Sequence, residues 1–284
     1  MTWARVVVLA ALLFGAADAR AQRASADSVR LVFFDVGQGD AALVITPNGK
    51  HILIDAGPSG ANVAALLDAY DVKTLDLVVA SHNHADHIGG MPEVFAAMNV
   101  LEYVDNGVPA LTQAYRRLVD AVENENGLRF RQPTARDFRA GGVIVRVLRP
   151  WEQDRSQNNN SVGIWLQFGS FNVLFGGDAE RPQLGYWLLN YHLPPVSVLK
   201  ASHHGSFNGV SEPWAIRLEP RLVVVSVGAG NQYDHPDPRV MEAWTSINSR
   251  VYRTDSVGTI TVSAAEGGGF SVRTTKGSVP WVSK

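Results

Sequence analysis

Four side chains able to bind a metal, His82, His84, Asp86 and His87, fall within six residues of the stretch SHNHADHIGG (81–90), directly after the apolar run LDLVVA. Imidazoles set this close together repel one another when protonated, so a chain that folds with them adjacent needs an ion for them to share. In an extended segment alternate side chains point the same way, which lets His82 and His84 grip one ion together. Asp86 and His87 follow after the chain turns, and can face a second ion beside the first. Gly89 and Gly90 then suit a backbone that bends sharply before the next helix. One loop cannot complete two coordination spheres, so the fold must carry ligands from distant segments to this place.

The rest of the chain alternates between strand-like and helix-like patterns. VRLVFFDV, AALVITP and HILIDAG read as three strands, with PNGK as a tight turn between the last two. NVAALLDAY has apolar residues at helical spacing, LDLVVA reads as a buried strand, and PEVFAAMN as a short helix with Pro92 in its first turn. A longer amphipathic helix is expected at LTQAYRRLVDAVENEN. Strands are expected again at VIVRVLR, VGIWLQF, FNVLFGG, VSVLK and RLVVVSV, with a helix near RPQLGYWLLNY and a strand-rich, glycine-rich end. ALVITPNGKHILIDAG and GIWLQFGSFNVLFGGD echo each other: both are strand–turn–strand units that end in an apolar run and an acid, Asp55 or Asp178. No stretch has the composition of a linker. The pattern implies a layered α/β architecture, one domain built of two similar halves.

Composition narrows the ligand chemistry. The 284 residues include no cysteine, which excludes disulfides, a lipid-anchored cysteine and thiolate ligands. Any metal must therefore use His, Asp, Asn or water. A formal net charge of −2 gives no support for broad nucleic-acid binding by charge alone. The first residues, MTWARVVVLAALLFGAADARAQ, place Arg5 before an apolar run (6–17) and two Ala-x-Ala sites. That run is too short to span a bilayer, so residues 1–21 read as a cleaved secretory signal and 22–284 as the mature, exported domain, with no membrane span.

Asp178 is the strongest candidate for a distant ligand, because it follows an apolar strand at the edge where layered α/β folds form their sites. There it could bridge both ions, or it could instead cap the helix that begins in AERPQL. In LKASHHGS, one of His203 and His204 should ligate the second ion, since neighbouring side chains diverge; His204, next to Gly205, is favoured. His203 would then touch substrate or support a ligand. Asp55 would orient a ligand histidine or the ligand loop by hydrogen bonding, or else serve as a turn acid before Gly57 and Pro58. Asp40 belongs near the site, whereas Asp35 reads as a strand-end acid. Lys200 could meet an anionic oxygen or simply end a strand at the surface, and His235 alone would be read as a solvent-exposed loop residue.

SHNHADHIGG resembles the His-x-His-x-Asp-His signature of the metallo-β-lactamase superfamily. FFDVGQGDAALV, ILIDAG, NNNSVGIWLQFGSFNVLFGGD, LKASHHGS and NQYDHP resemble, in the same order, the extracytoplasmic hydrolase domain of the competence DNA-uptake channel, ComEC. Similar domains occur as stand-alone secreted hydrolases, including phosphorylcholine esterases. The likeness runs from about residue 31 to 260. It implies a four-layer αββα sandwich with two divalent metal ions, Zn²⁺ or Mn²⁺, at one edge. By the same resemblance a hydroxide shared by the ions attacks the substrate. Asp86 would then hold or receive the nucleophile's proton, and His235 would lie beside the metals as a proton donor or phosphate contact.

One departure is informative. Most superfamily members supply a third histidine to the first metal from the segment that here reads DRSQNNNSVG, where Asn158 and Asn159 stand instead. An amide oxygen is a weaker zinc ligand than imidazole, so the first ion would be looser or be Mn²⁺, unless these asparagines only shape a turn. The resemblance implies a phosphodiester substrate, either a small molecule or nucleic acid, and so a phosphodiesterase or nuclease. Six arginines (129, 131, 136, 139, 146 and 149) with one acid, Asp137, add slight local support, although a solvated strand face explains them as well. Ester, lactone or lactam hydrolysis, and a metal-stabilised binding protein without turnover, are the competing expectations.

Overall fold

In β3 (His51–Ala56) and β12 (Phe171–Phe175) every second residue faces one side, yet both sides are buried. Ile52 and Ile54 point into a central core shared with Val173 and Phe175, while Leu53 and Leu174 point outward into two further cores. Strands with apolar residues buried on both faces demand cover on both, which is why helices must pack outside two facing sheets. The computed structural model describes residues 28–131, 137–151, 156–277 and 281–283; the leader-like residues 1–21 lie outside them.

Among the described residues one sheet has nine strands, in the order β18 (Trp281–Ser283), β17 (Phe270–Thr274), β16 (Ile260–Ala265), β1 (Ser28–Phe33), β2 (Ala41–Ile45), β3, β5 (Leu77–Val79), β7 (Glu102–Val104) and β8 (Arg129–Arg131). The other has seven: β15 (Arg250–Arg253), β14 (Leu222–Val225), β13 (Val198–Lys200), β12, β11 (Gly163–Phe168), β10 (Val143–Leu148) and β9 (Asp137–Ala140). A two-stranded ribbon, β4 (Thr74–Leu75) with β6 (Asn99–Val100), pairs separately beside β3, where His51 Nδ1 contacts the Thr74 carbonyl at 3.2 Å.

The internal echo in the sequence corresponds to a repeated topology. β2 and β3 form an antiparallel hairpin that is continued in parallel by β5 and β7. β11 and β12 do the same, continued in parallel by β13, β14 and β15. Phe33 and Phe175 stack at 5.6 Å where the halves meet.

Helices α1 (Val63–Asp68), α3 (Met91–Ala97) and α4 (Gln113–Asn124) cover the outside of the nine-stranded sheet through Val63, Leu67, Met91, Phe95 and Leu118. A single turn, α2 (Ala85–Ile88), carries the ligand-rich loop. Helices α5 (Arg181–Asn190), α6 (Glu212–Leu218) and α7 (Pro238–Ser246) cover the other sheet, with Trp187, Trp214 and Trp244 fully buried. The molecule is thus the four-layer αββα sandwich. The C-terminal region is not only strands: α7 opens where the Asp237 carboxylate accepts a hydrogen bond from the Arg239 N–H, with Pro238 at the first position, a start signal present in DPRV.

Gly89 and Gly90 do not mark a sharp bend, for both have helical dihedrals (φ −60° and −87°). They are needed for space. A Cβ on Gly90 would lie 2.3 Å from the Ala56 carbonyl oxygen, and one on Gly89 2.4 Å from the Ser59 nitrogen, because the ligand loop presses on the turn after β3. Gly90→Ala should therefore lower stability by about 1–3 kcal/mol in urea unfolding. Gly185→Ala, in mid-helix α5 with nothing within 4 Å of the added carbon, should raise it by about 0.5–1 kcal/mol.

Candidate metal centre

The loops that follow β3, β5, β12, β13 and β14 meet at one edge of the sandwich, at the carboxyl ends of the parallel strands of both sheets. Asp55 closes β3 and is fully buried. One of its oxygens accepts from the Ser81 N–H at 2.7 Å, and the other from the Ser81 hydroxyl at 2.7 Å and His87 Nδ1 at 2.8 Å. It therefore pins the start of the ligand loop and turns the Nε2 of His87 outward. His82 Nδ1 contacts Ser81 Oγ at 3.2 Å, His204 Nδ1 contacts the Ser226 carbonyl at 2.9 Å, and His203 Nδ1 contacts Asn208 Oδ1 at 3.0 Å. In each ring one nitrogen is occupied, which leaves Nε2 to face a common centre.

Asp178 occupies that centre. Its Oδ1 lies 3.2 Å from His87 Nε2 and 3.5 Å from His204 Nε2; its Oδ2 lies 3.8 Å from His82 Nε2 and 3.9 Å from His203 Nε2. Asp86 adds an oxygen 3.2 Å from His204 Nε2. Two ligand groups result, Asp86–His87–Asp178–His204 and His82–His84–Asp178, each with donor atoms within 4.8 Å of one another. Asp178 belongs to both. It is not a helix cap, since the residue preceding α5 is Glu180. The Nε2 atoms of His82, His87 and His204 and the Oδ1 of Asp178 are buried without a hydrogen-bond partner. Unsatisfied buried polar atoms cost about 1–3 kcal/mol each, so a cluster aimed at one spot fits a cation. Imidazole nitrogens with carboxylates suit zinc or manganese.

A third group, Asp40 with Asp55 and His87, is already engaged. Asp40 pairs with the buried ammonium of Lys200 at 2.8 Å. Burial opposes the Asp40 charge, but Lys200 and His204 outweigh it and bring its pKa down to about 2. Lys200 is thus neither a surface strand end nor placed to touch substrate. It is 3% exposed and also donates to the Ala201 carbonyl.

The tandem histidines depart from the extended-chain expectation. His203 and His204 have φ of 50° and 52°, a left-handed turn that costs non-glycine residues about 1–3 kcal/mol each. That turn brings both rings to Asp178, on different oxygens. His204 joins a ligand group; His203 stays at the rim, braced by Asn208, a residue that nothing in the sequence singles out. Asn159 does not stand as a ligand: its oxygen accepts from the Glu180 N–H and its amide donates to the Glu180 carboxylate. Asn158 also donates to Glu180 and lies 3.4 Å from His203 Nε2. Glu180, missed from sequence, is what these amides clamp. His235 sits beside the site, its ring 5.7 Å from that of His203. Asp35 lies apart, ion-paired with Lys276.

The arginines are largely spent elsewhere. Arg129 pairs with Glu102, and Arg139 and Arg146 with Asp137, on the edge strands β8, β9 and β10. Arg136 and the side chain of Arg131 lie outside the described residues.

Burial disfavours charge on His87 and His204, yet Asp178 and its neighbouring carboxylates hold both well above the ordinary histidine range. Asp178 and Asp86 are held below the usual carboxylate range against their burial, mainly by His204 and His87 respectively. His82, by contrast, is pushed well down by burial and by His87. The surrounding carboxylates thus favour the protonated form of His87 and His204 where no ion is present, and a metal binding at their Nε2 atoms would compete with those protons. Zinc titration in buffers of different ionisation enthalpy should show more than one proton released, with affinity falling as pH drops from 8 to 6. Asp178→Asn should remove both ions from the chain in metal analysis. Lys200→Met should cost about 3–5 kcal/mol by leaving Asp40 buried and unpaired, and Asp40→Asn in the same chain should recover much of that.

Comparison with known proteins agrees with this geometry. A model of the metallo-beta-lactamase superfamily matches residues 34–228. ComE operon protein 3 of Bacillus subtilis is 27% identical over 80% of this chain and 32% of its own length. Competence protein ComA of Neisseria gonorrhoeae is 27% identical over 90% of this chain and 35% of its own. The chain thus spans about a third of the length of these relatives. The crystal structure of the metallo-beta-lactamase fold protein YhfI from Bacillus subtilis overlays with a TM-score of 0.54 at 12% identity, covering 79% of this chain and 96% of that one. With its ligand loop, its shared aspartate and its two-sheet frame in place, the chain belongs to the metallo-beta-lactamase superfamily.

Proposed function

We propose that the chain is an exported phosphodiesterase that works with two divalent cations, zinc or manganese. The observation that carries this reading is Asp178, whose two oxygens face two separate groups of ligands. His82, His84 and Asp178 would hold one cation, and Asp86, His87, Asp178 and His204 the other. Such a pair lowers the pKa of a water molecule and neutralises charge growing on phosphoryl oxygens.

The remaining roles fall to the chain's own side chains. Asp86, with its side chain 31% exposed, is the ligand open to a cleft, and can take the proton released as water is activated. Ser81, Asp55 and Ser226 hold the imidazoles fixed, so that little reorganisation accompanies reaction. His235 is half-buried at the rim. Its ring lies beside that of His203, where it can meet a departing alkoxide as a proton donor or a phosphoryl oxygen as a contact. Similarity to two proteins named for competence supports the ComEC-like assignment on which this reading draws. Export rests on residues 1–21, and calls for a mature chain beginning at Gln22 by mass measurement.

Purified protein loaded with Zn²⁺ or Mn²⁺ should hydrolyse bis-p-nitrophenyl phosphate, and Asp86→Ala should lower kcat by at least about a hundredfold. Cleavage of a chromogenic cephalosporin without any phosphodiester hydrolysis would overturn the reading. His235→Ala should slow an alkyl-ester linkage such as dithymidine monophosphate much more than a p-nitrophenyl ester, whose leaving group needs no proton.

A further inference from the structure

A cleft of about 530 Å³ opens beside Asp86, lined on one side by Pro58, Ser59 and Ala114 and on the other by the loop at 231–233. That volume suits a group the size of one nucleotide. Two of its side chains belong to neither group of metal ligands. Arg117 projects into it from α4, three residues after the small Ala114 and so on the same helical face. Among the described residues it has no acid, carbonyl or ring partner, unlike Arg129, Arg146, Arg239 and Arg253, which are all paired with carboxylates. Tyr233 faces the same cleft with 56% of its surface exposed, its ring stacked on His235 at 5.8 Å and 28°.

This wall is rigid. Asn231 uses its whole side chain on the loop, donating to the carbonyls of Gly228 and His235 and accepting from the N–H groups of Tyr233 and His235. The Gly228 N–H donates in turn to Gln38, another residue of the cleft, which ties the loop to the opposite half of the sandwich.

We infer that this cleft is a flanking-nucleotide subsite, in which Arg117 meets a phosphate next to the scissile one and Tyr233 stacks on a base. The inference rests on the phosphodiesterase reading. A quaternary-ammonium headgroup is the wrong chemistry here, because such ligands take an aromatic cage free of cations, and the Arg117 guanidinium would repel them. An anion joined to a flat ring satisfies both residues at once: guanidinium binds phosphate, and a tyrosine face accepts any base.

The test compares dithymidine monophosphate, which has only the scissile phosphate, with pentathymidylate. The wild-type chain should favour pentathymidylate in kcat/KM by tenfold or more. Arg117→Ala should erase that preference while leaving dithymidine monophosphate unchanged, and should reduce the salt slope of log kcat/KM by about 0.7, one phosphate contact on a single strand. Arg117→Lys should restore part of it. Tyr233→Ala should raise KM for pentathymidylate at least about fivefold, and Tyr233→Phe should not. Equal effects of Arg117→Ala on both substrates, or none on either, would overturn the subsite. If the wild-type chain cleaved neither, the phosphodiesterase reading would fall. Fluorescence anisotropy of labelled pentathymidylate would still read the subsite, and equal affinity of wild type and Arg117→Ala would refute it.

Discussion

Everything at this edge of the sandwich depends on a carboxylate buried between imidazoles. Asp178 is 2% exposed, and histidine Nε2 atoms approach both of its oxygens. A lone ionised carboxylate in such a place would be expelled or neutralised, since desolvation costs more than ordinary packing returns. The frame holds it there because β12, closed by the apolar run Val173–Phe175, ends immediately before Gly176 and Gly177, and because the ligand loop of the other half comes from an apolar strand, β5. Two hydrophobic sheets pressed face to face fix the separation of their strand ends. The polar cluster inherits its dimensions from that contact.

The same logic separates what was legible in the sequence from what was not. Asp55, His82, His84 and Asp178 could be placed because strand periodicity says where an apolar run stops and which way the next side chains turn, and His87 because it shares one short ligand-rich loop with His82 and His84. The two-halved frame could be read from the echo of one strand–turn–strand unit in another. The His203–His204 turn could not, since no periodicity announces two consecutive left-handed non-glycine residues; that conformation is imposed by the site. Glu180 and Asn208 were hidden for a related reason. Their partners are 20 or so residues away or across a turn, and only the folded chain brings Glu180 under Asn158 and Asn159. Lys200 misled because a lysine at a strand end is ordinarily solvated, and its burial follows from Asp40, a residue 160 positions earlier.

The strain at His203 and His204 has a structural counterweight. The His203 N–H donates to the Gly177 carbonyl beside Asp178, the Ser206 N–H donates back to the His203 carbonyl, and the Asp237 N–H reaches the Gly205 carbonyl. These bonds tie the turn to the β12 end on one side and to the start of α7 on the other. A histidine pair relaxed to ordinary dihedrals would separate its rings, and the two oxygens of Asp178 would lose one neighbour each. Strain kept in a site by surrounding bonds holds geometry that the local sequence would not choose.

Charge balance connects the ion-free and loaded states. Asp40, Asp55, Asp86 and Asp178 converge on a buried region whose one fixed positive side chain, among the described residues, is Lys200. With neutral imidazoles the carboxylates would outnumber the cations in this region, although burial pushes the Asp55 carboxyl up. Carboxylates around His87 and His204 raise the proton affinity of those two rings, whereas burial and the neighbouring His87 lower that of His82. Two divalent cations would replace protons on His87 and His204 and offset the carboxylates at an edge of the sandwich that opens on Arg117. Neutralised in this way, the carboxylates would no longer repel an anion approaching along the cleft beside Asp86.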